Sequence, residues 1–293
     1  MPELPEVETI RRGLARLIVG KKVTGAENFT SAKSFPNAQN EVEQFLYGAT
    51  ITDVRRRAKV LLIDLSSEYT LVTHLKMTGQ LIVVDGNERW GGGHPNDSFV
   101  RTLPDNTTRE RLDFSDGSHL YFNDLRKFGW MKLYPTIEVP NIDFMQKVGP
   151  EPLEDAFTST EFIPRVRKRN GTTIKAAILD QTVLAGVGNI YADESLWASK
   201  IHPAKRVRDV KDSQLKELLA NIKAVMNLSI AHGGSTDKNY VDAEGKKGSY
   251  LQFANVFRRE GLACPRHPDV LIEKIRVAGR GTHVCPVCQP MPQ

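Results

Sequence analysis

Two short ligand pairs near the end of the chain constrain its folding more than any other feature. Cys264-Pro-Arg-His267 and Cys285-Pro-Val-Cys288 each place two residues between potential ligands, and seventeen residues separate the pairs. That separation suits a β-hairpin with a ligand-bearing knuckle at each end. The set predicts a tetrahedral Cys3His site for one Zn2+. Four protein ligands leave no open coordination position, so such a zinc is structural and not catalytic. His283 is a second candidate for the fourth ligand, and a redox-active Cys285/Cys288 pair is the alternative reading. The three cysteines all lie at position 264 or beyond, so no even-numbered disulfide framework can hold the fold together.

The rest of the chain divides by hydrophobic period. Val7, Ile10, Leu14, Leu17 and Ile18 recur at helical spacing after Pro5, which suits a first helical position, and Glu6 and Glu8 suit the positive end of the helix dipole. From about Thr50 to Tyr134 the pattern becomes strands, including Val60–Ile63, 71–75, 81–84 and a hairpin turning at Asp116-Gly117. This half predicts a β-sandwich. Between 85 and 108 lies a polar stretch with Gly91-Gly92-Gly93, longer than typical connections, which predicts a mobile surface loop. Prolines and glycines punctuate 136–152, where a domain boundary is expected. Helical periodicity follows, clearest in Leu215, Leu218, Leu219, Ile222, Val225 and Met226.

The first residues carry the strongest chemical signal. Removal of Met1 would leave a secondary amine on Pro2, with carboxylates at Glu3 and Glu6 nearby. An α-amino group titrates near pH 8, so roughly a tenth is unprotonated at pH 7, against less than about 0.1% of a free lysine. Attack on the anomeric carbon of a nucleotide would expel the base. The resulting iminium would acidify the adjacent sugar carbon for elimination, with Glu3 placed to move protons. A plain helix start is the bland alternative. Arg280 lies in a glycine-flanked turn between the knuckles and suits a phosphate fork. Asn189 follows a Gly-rich turn that opens a helix, where an anion can bind, although a plain helical hairpin has the same pattern. Basic clusters at 55–59 and 165–169 also read as solvated faces. A net charge of +5 and a pI near 9.0 fit a polyanionic partner and equally an ordinary soluble protein. Apolar runs are far below the roughly 20 residues of a membrane span, and no signal peptide is visible. A cytoplasmic protein with no membrane partner is expected.

Together these segments resemble the formamidopyrimidine-DNA glycosylase family along nearly the whole chain. The matching stretches are Pro-Glu-Leu-Pro-Glu-Val-Glu-Thr at 2–9, His-Leu-Lys-Met-Thr-Gly at 74–79, Asp-Leu-Arg-Lys-Phe-Gly at 124–129, Gly-Pro-Glu-Pro-Leu at 149–153, the 180–194 segment and the C-terminal finger. The resemblance implies an α+β multidomain clamp around DNA. Its parts would be an N-terminal catalytic β-sandwich with its helix at 1–135, a linker at 136–152, a helix-two-turn-helix DNA-binding domain at 153–250 and a β-hairpin zinc finger at 251–290. It implies a monomer acting on double-stranded DNA that contains oxidised purines, in the cytoplasm and on the nucleoid, as glycosylase and strand-nicking lyase by β,δ-elimination. By position, Pro2 would be the nucleophile, Glu3 the proton donor, Lys59 the catalytic lysine and Arg280 the proton donor in the eliminations. Lys59, His74, Asn189 and Arg280 would grip phosphates. Met77, Arg126 and Phe128 would fill the space left by an extruded base, whose unstacking costs a few kcal/mol. Read alone, Met77 and Phe128 suit a core equally well.

The chain departs from the family pattern at His267, which replaces a cysteine, at Phe257, where a tyrosine is usual, at Lys76 and across 85–108. An enzyme resembling endonuclease VIII, acting on oxidised pyrimidines, is the nearest rival, but Leu4 and Arg126-Lys-Phe128 favour the purine enzyme. A damage-binding protein without catalysis would follow if Met1 is retained. Backbone contacts to the lesion are expected from the Gly-rich 233–250 stretch, with Lys246 and Lys247 as candidate readers.

Overall fold

The computed structural model describes residues 1–29, 33–94, 97–235 and 250–292. The chain forms two compact units, one of residues 1–146 with 232–249 and one of 147–231 with 250–293.

The first unit opens with α1 (Leu4–Ile18), whose face of Leu4, Val7, Ile10, Leu14 and Ile18 is buried as the spacing requires. The strands β1 (Val23–Asn28), β7 (Thr108–Phe114), β8 (His119–Asp124), β5 (Gly79–Asp85) and β6 (Glu88–Gly93) form one antiparallel sheet in that order, and α2 (Gln39–Phe45) follows β1 in the chain. The strands β2 (Ile51–Arg57), β3 (Val60–Leu65), β4 (Tyr69–His74) and β9 (Trp130–Pro135) form a second. Inward residues of both sheets, among them Val54, Leu61, Ile63, Leu71, Leu81, Leu112, Leu120 and Phe122, share one core with the apolar face of α1. The unit is the expected β-sandwich.

The stretch expected as a loop is partly a strand. Residues 88–93 form β6, paired with β5 from Asp85↔Glu88 to Gln80↔Gly93. Its glycines are there for close approach: a Cβ on Gly91 would come within 2.3 Å of the Phe99 ring, and one on Gly92 within 2.6 Å of Ile10. Residues 95–96 lie outside the described residues.

The second unit is helical, with α3 (Asp143–Lys147) at its boundary, then α4 (Ser159–Arg167), α5 (Ile174–Leu179), α6 (Asn189–Ala198) and α7 (Asp212–Ala231). It continues through the short α8 (Tyr250–Phe253) into the antiparallel pairs β10 (Ala263–Cys264) with β11 (His267–Leu271), and β12 (Glu273–Val277) with β13 (Arg280–Val284). Trp197, Val256, Cys264, Ile272, Cys285 and Cys288 make a small core of their own around the ligand pairs.

Candidate active site and metal centre

In the first unit the N-terminal turn is held from two sides. Glu3 is the N-cap of α1, and its backbone N–H donates to Glu6 Oε2 at 2.8 Å. Glu6 Oε1 in turn accepts from the backbone N–H and the hydroxyl of Ser235, each at 2.8 Å. Pro2 is buried and Glu3 is only 4% exposed. The carboxylate of Glu6 thus ties the helix start to the point where the 236–249 segment departs. That segment, with Lys246 and Lys247, lies outside the described residues.

Lys59 sits in the tight turn between β2 and β3, where Arg57 pairs with Val60 and Ala58 takes a left-handed φ of 53°. Arg56 fixes this turn by donating from Nη1 to the Ala58 carbonyl at 3.0 Å, while its Nε donates to Glu8 Oε2 on α1 at 3.2 Å. The Glu8 carboxyl is below its ordinary value: burial raises it, but hydrogen bonds from Arg11 and Arg12 and the charges of Arg11 and Arg56 outweigh that. The helix that carries Pro2 and the turn that carries Lys59 therefore share one charged brace. Lys59 is 6% exposed, a burial that lysines reach only when paired.

His74 pairs across the ladder with Val60, next to Lys59. Burial, then the charges of Lys76 and Lys59, push its pKa down to about 3. Its Nδ1 accepts the Lys76 backbone N–H at 3.1 Å, so the neutral ring carries its proton on Nε2 and can donate there. The structure therefore groups Lys59 and His74 as a cation and a neutral donor.

Met77, Arg126 and Phe128 stand on two adjoining turns. Asp124, fully buried, accepts from the Thr78 hydroxyl, from the N–H groups of Phe128 and Gly129 at 2.7 Å each, and from that of Arg126 at 3.2 Å. The Thr78 hydroxyl also accepts from the Arg126 N–H at 3.0 Å, which joins the two turns. Met77 is 39% and Phe128 54% exposed, so the reading as core residues fails. The Arg126 guanidinium lies 4.9 Å from the Phe128 ring centroid.

In the second unit the Gly-rich turn precedes α6 as expected. Gln181 braces it, donating to the carbonyls of Leu179 and Val187 and accepting from Gly186 N–H. Asn189 opens α6, and its side-chain amide donates to Gly281 O at 3.0 Å, so it also holds the hairpin that carries Arg280. Arg280 is exposed, directly after a two-residue turn in which Ala278 and Gly279 both have positive φ, of 51° and 74°. Glu194, fully buried, accepts from the backbone N–H groups of Asn255, Val256 and Phe257 and anchors the entry to the finger.

The ligand atoms of Cys264, His267, Cys285 and Cys288 all lie within 4.8 Å of one another. Separations of 3.8 Å between the Cys264 and Cys288 sulfurs, and of 3.2 and 3.8 Å from His267 Nδ1 to Cys288 and Cys285, match the edges of a tetrahedron with Zn–S near 2.3 Å and Zn–N near 2.0 Å. The donor set fits one structural zinc. His283 lies outside this ligand cluster, and its Nδ1 faces Asp193 at 3.0 Å.

Of the two basic clusters, Arg55 is paired with Asp64, Arg167 with Asp212 and Arg169 with Asp180, so much of their charge is locally neutralised. The bracing roles of Glu6, Glu8, Arg56, Thr78, Asp124, Asp193 and Glu194 escape sequence reasoning, although Glu6 and Glu8 suit the helix dipole and Glu6 is a carboxylate near Pro2 in the sequence. The only other signal is that most of these residues lie inside or beside the motif segments.

Residues 1–131 match the formamidopyrimidine-DNA glycosylase N-terminal domain, 148–240 the H2TH domain of the same enzyme, and 270–290 the zinc finger found in FPG and IleRS. The formamidopyrimidine-DNA glycosylase of Pediococcus pentosaceus is 42% identical over 289 residues, 99% of both chains. That of Herpetosiphon aurantiacus is 41% identical over 290 residues, 99% of this chain and all of the other. Two Lactococcus lactis structures, an FPG mutant in complex with Fapy-dG-containing DNA and Fpg in complex with abasic-site DNA, superpose with TM-scores of 0.86 and 0.85. Each is 34% identical and covers 99% of this chain and 100% of the other. The chain belongs to the formamidopyrimidine-DNA glycosylase family.

Proposed function

We propose that this protein excises oxidised purines from duplex DNA and then nicks the strand, with the amine of Pro2 as nucleophile once Met1 is removed. The observation that carries this reading is the N-terminal turn. Pro2 and Glu3 are buried at the head of α1, and α1 is braced through Glu8 and Arg56 to the turn of Lys59.

In the reaction the Pro2 nitrogen attacks C1′ of the damaged nucleotide. The bond from C1′ to the base breaks, and the base leaves with the electron pair and takes up a proton. Proton transfer from Glu3 to the ring oxygen opens the sugar and leaves an iminium between C1′ and the Pro2 nitrogen. Its electron withdrawal acidifies C2′–H. Loss of that proton expels the 3′ phosphate, and a second elimination expels the 5′ phosphate, with Arg280 donating to the departing groups. Lys59, His74 and Asn189 hold phosphates, the first by charge and the others as neutral donors. Met77, Arg126 and Phe128 occupy the space of the extruded nucleotide and offset part of the few kcal/mol that its unstacking costs.

The same reading assigns 1–135 to the catalytic sandwich, 136–152 to a linker, 153–250 to the helix-two-turn-helix domain and 251–290 to the finger. The enzyme acts as a monomer on the nucleoid in the cytoplasm. No helix among the described residues is long and apolar enough to cross a membrane.

Borohydride trapping on a duplex with one 8-oxoguanine opposite cytosine tests the chemistry. A covalent adduct is expected from the Met-processed protein, and none from Pro2 blocked by a retained Met1. Tight binding with neither adduct nor nick would overturn it. Cleavage of duplexes carrying oxidised pyrimidines but not of this one would overturn the purine assignment.

A further inference from the structure

The finger arginine stands on a hairpin too small to fix it. β12 and β13 make an isolated two-stranded pair, and two strands alone are marginally stable in water. Yet a chain of hydrogen bonds from the helices reaches each of the residues 280–283. Thr282 Oγ1 donates to the Arg280 carbonyl at 3.0 Å and accepts from Lys175 Nζ, on α5, at 2.6 Å. Lys175 also donates to Gly281 O at 3.3 Å and to Asp193 Oδ1, on α6, at 2.6 Å. Asp193 Oδ2 accepts the His283 backbone N–H at 3.0 Å.

Lys175 and Asp193 are both fully buried. Desolvation offsets most of the attraction in such a pair, and apolar replacements of similar volume are often as stable. An apolar pair, however, could not hold the carbonyls of Arg280 and Gly281 in fixed positions. We propose that Thr282, supported by the Lys175–Asp193 pair, is a positioning residue that fixes the backbone of Arg280 for strand cleavage. The hydroxyl is the joint: it passes the fixed position of the Lys175 ammonium directly to the carbonyl of the arginine that acts.

This rests on the role given above to Arg280, and a double-mutant cycle separates the two. Single-turnover strand cleavage would be measured for the full-length zinc-loaded protein, for Thr282→Val, which keeps the side-chain shape, for Arg280→Ala and for the double variant. Misplacement of a reacting group by about 1 Å can cost about a hundredfold, so a loss of about tenfold or more is expected for Thr282→Val. No further loss is expected when Arg280 is already alanine. Asp193→Asn should show the same dependence on Arg280. Wild-type cleavage by Thr282→Val, loss of zinc from it, or an equal loss in the Arg280→Ala background would overturn the proposal. Unchanged cleavage by Arg280→Ala alone would overturn the role of Arg280 itself, and the positioning role with it.

Discussion

Replacing Asp124 by alanine removes the acceptor around which the 124–129 turn is built. A hydrogen bond to a charged acceptor contributes about 1.5–3 kcal/mol, and a buried donor left unsatisfied costs about 1–3 kcal/mol. The two short bonds from Phe128 and Gly129, at 2.7 Å each, are lost outright. Together they set a loss of about 3–6 kcal/mol. Phe128 is exposed, so water can reach its N–H once the turn loosens, and the lower end is expected. At about 2–4 °C per kcal/mol for a domain of this size, Tm should fall by about 6–12 °C. Asp124→Asn keeps one acceptor oxygen and should lose about half as much. The functional consequence follows from the same bonds, because they display Arg126 and Phe128 and, through Thr78, adjoin the turn of Met77. The preference for a tetrahydrofuran abasic-analogue duplex over undamaged DNA should fall about tenfold, which corresponds to about 1.4 kcal/mol. Thermal unfolding followed by circular dichroism and fluorescence-anisotropy titrations measure the two quantities. A Tm within about 2 °C of wild type would refute the hydrogen-bond argument. A large Tm loss with an unchanged preference would refute the link between the turn and lesion recognition.

Removing zinc with a chelator should unfold the finger, since its small core cannot replace the roughly 10 kcal/mol that a structural zinc supplies. Trp197, buried in that core with the Arg266 guanidinium 3.9 Å from its ring centroid, should report the loss as a red-shifted emission, and unchanged fluorescence would contradict a zinc-dependent finger core. Two buried groups should tilt stability against pH in opposite senses. His74, pushed down to about 3 by burial and then by Lys76 and Lys59, favours the folded state fully above its ordinary value of 6.5 and loses that contribution as pH falls toward 3. Burial pushes Glu110 up to about 8, only partly offset by the Ser34 hydroxyl, so its contribution is complete below its ordinary value of 4.5 and is lost as pH rises toward 8. Each slope is at most about 1.4 kcal/mol per pH unit, so Glu110→Gln should raise the urea midpoint at pH 8, and His74→Gln should flatten the fall below pH 6. A Glu110→Gln protein less stable than wild type at pH 8 would contradict the assignment.

The elements that the sequence makes legible are those whose signal is local. α1 and α7 follow from apolar spacing, the β7–β8 hairpin from Asp116-Gly117, and the metal centre from two ligand pairs. β6 does not follow, because three glycines weaken a strand signal and the reasons for them, the approach of Phe99, Ile10 and the Gly79 carbonyl, come from elsewhere in the chain. The choice between His267 and His283 is equally non-local, since it depends on the fold bringing His267 to the three cysteines while Asp193 holds the second histidine.

The supporting charges were the least legible part, for a physical reason that also bears on function. Even inside a recognised motif, a glutamate or aspartate whose partner lies far along the chain reads as a solvated residue. Here, though, Glu8 faces Arg56, Asp193 faces Lys175 and His283, and Glu194 faces the backbone of 255–257. Carboxylates accept several donors at once and so can fix a turn that has no apolar core of its own. Lys59, Arg126, Phe128 and Arg280 all stand on such turns or directly beside them. Their precision therefore depends on buried charged groups, and substitutions of those groups should cost both stability and function.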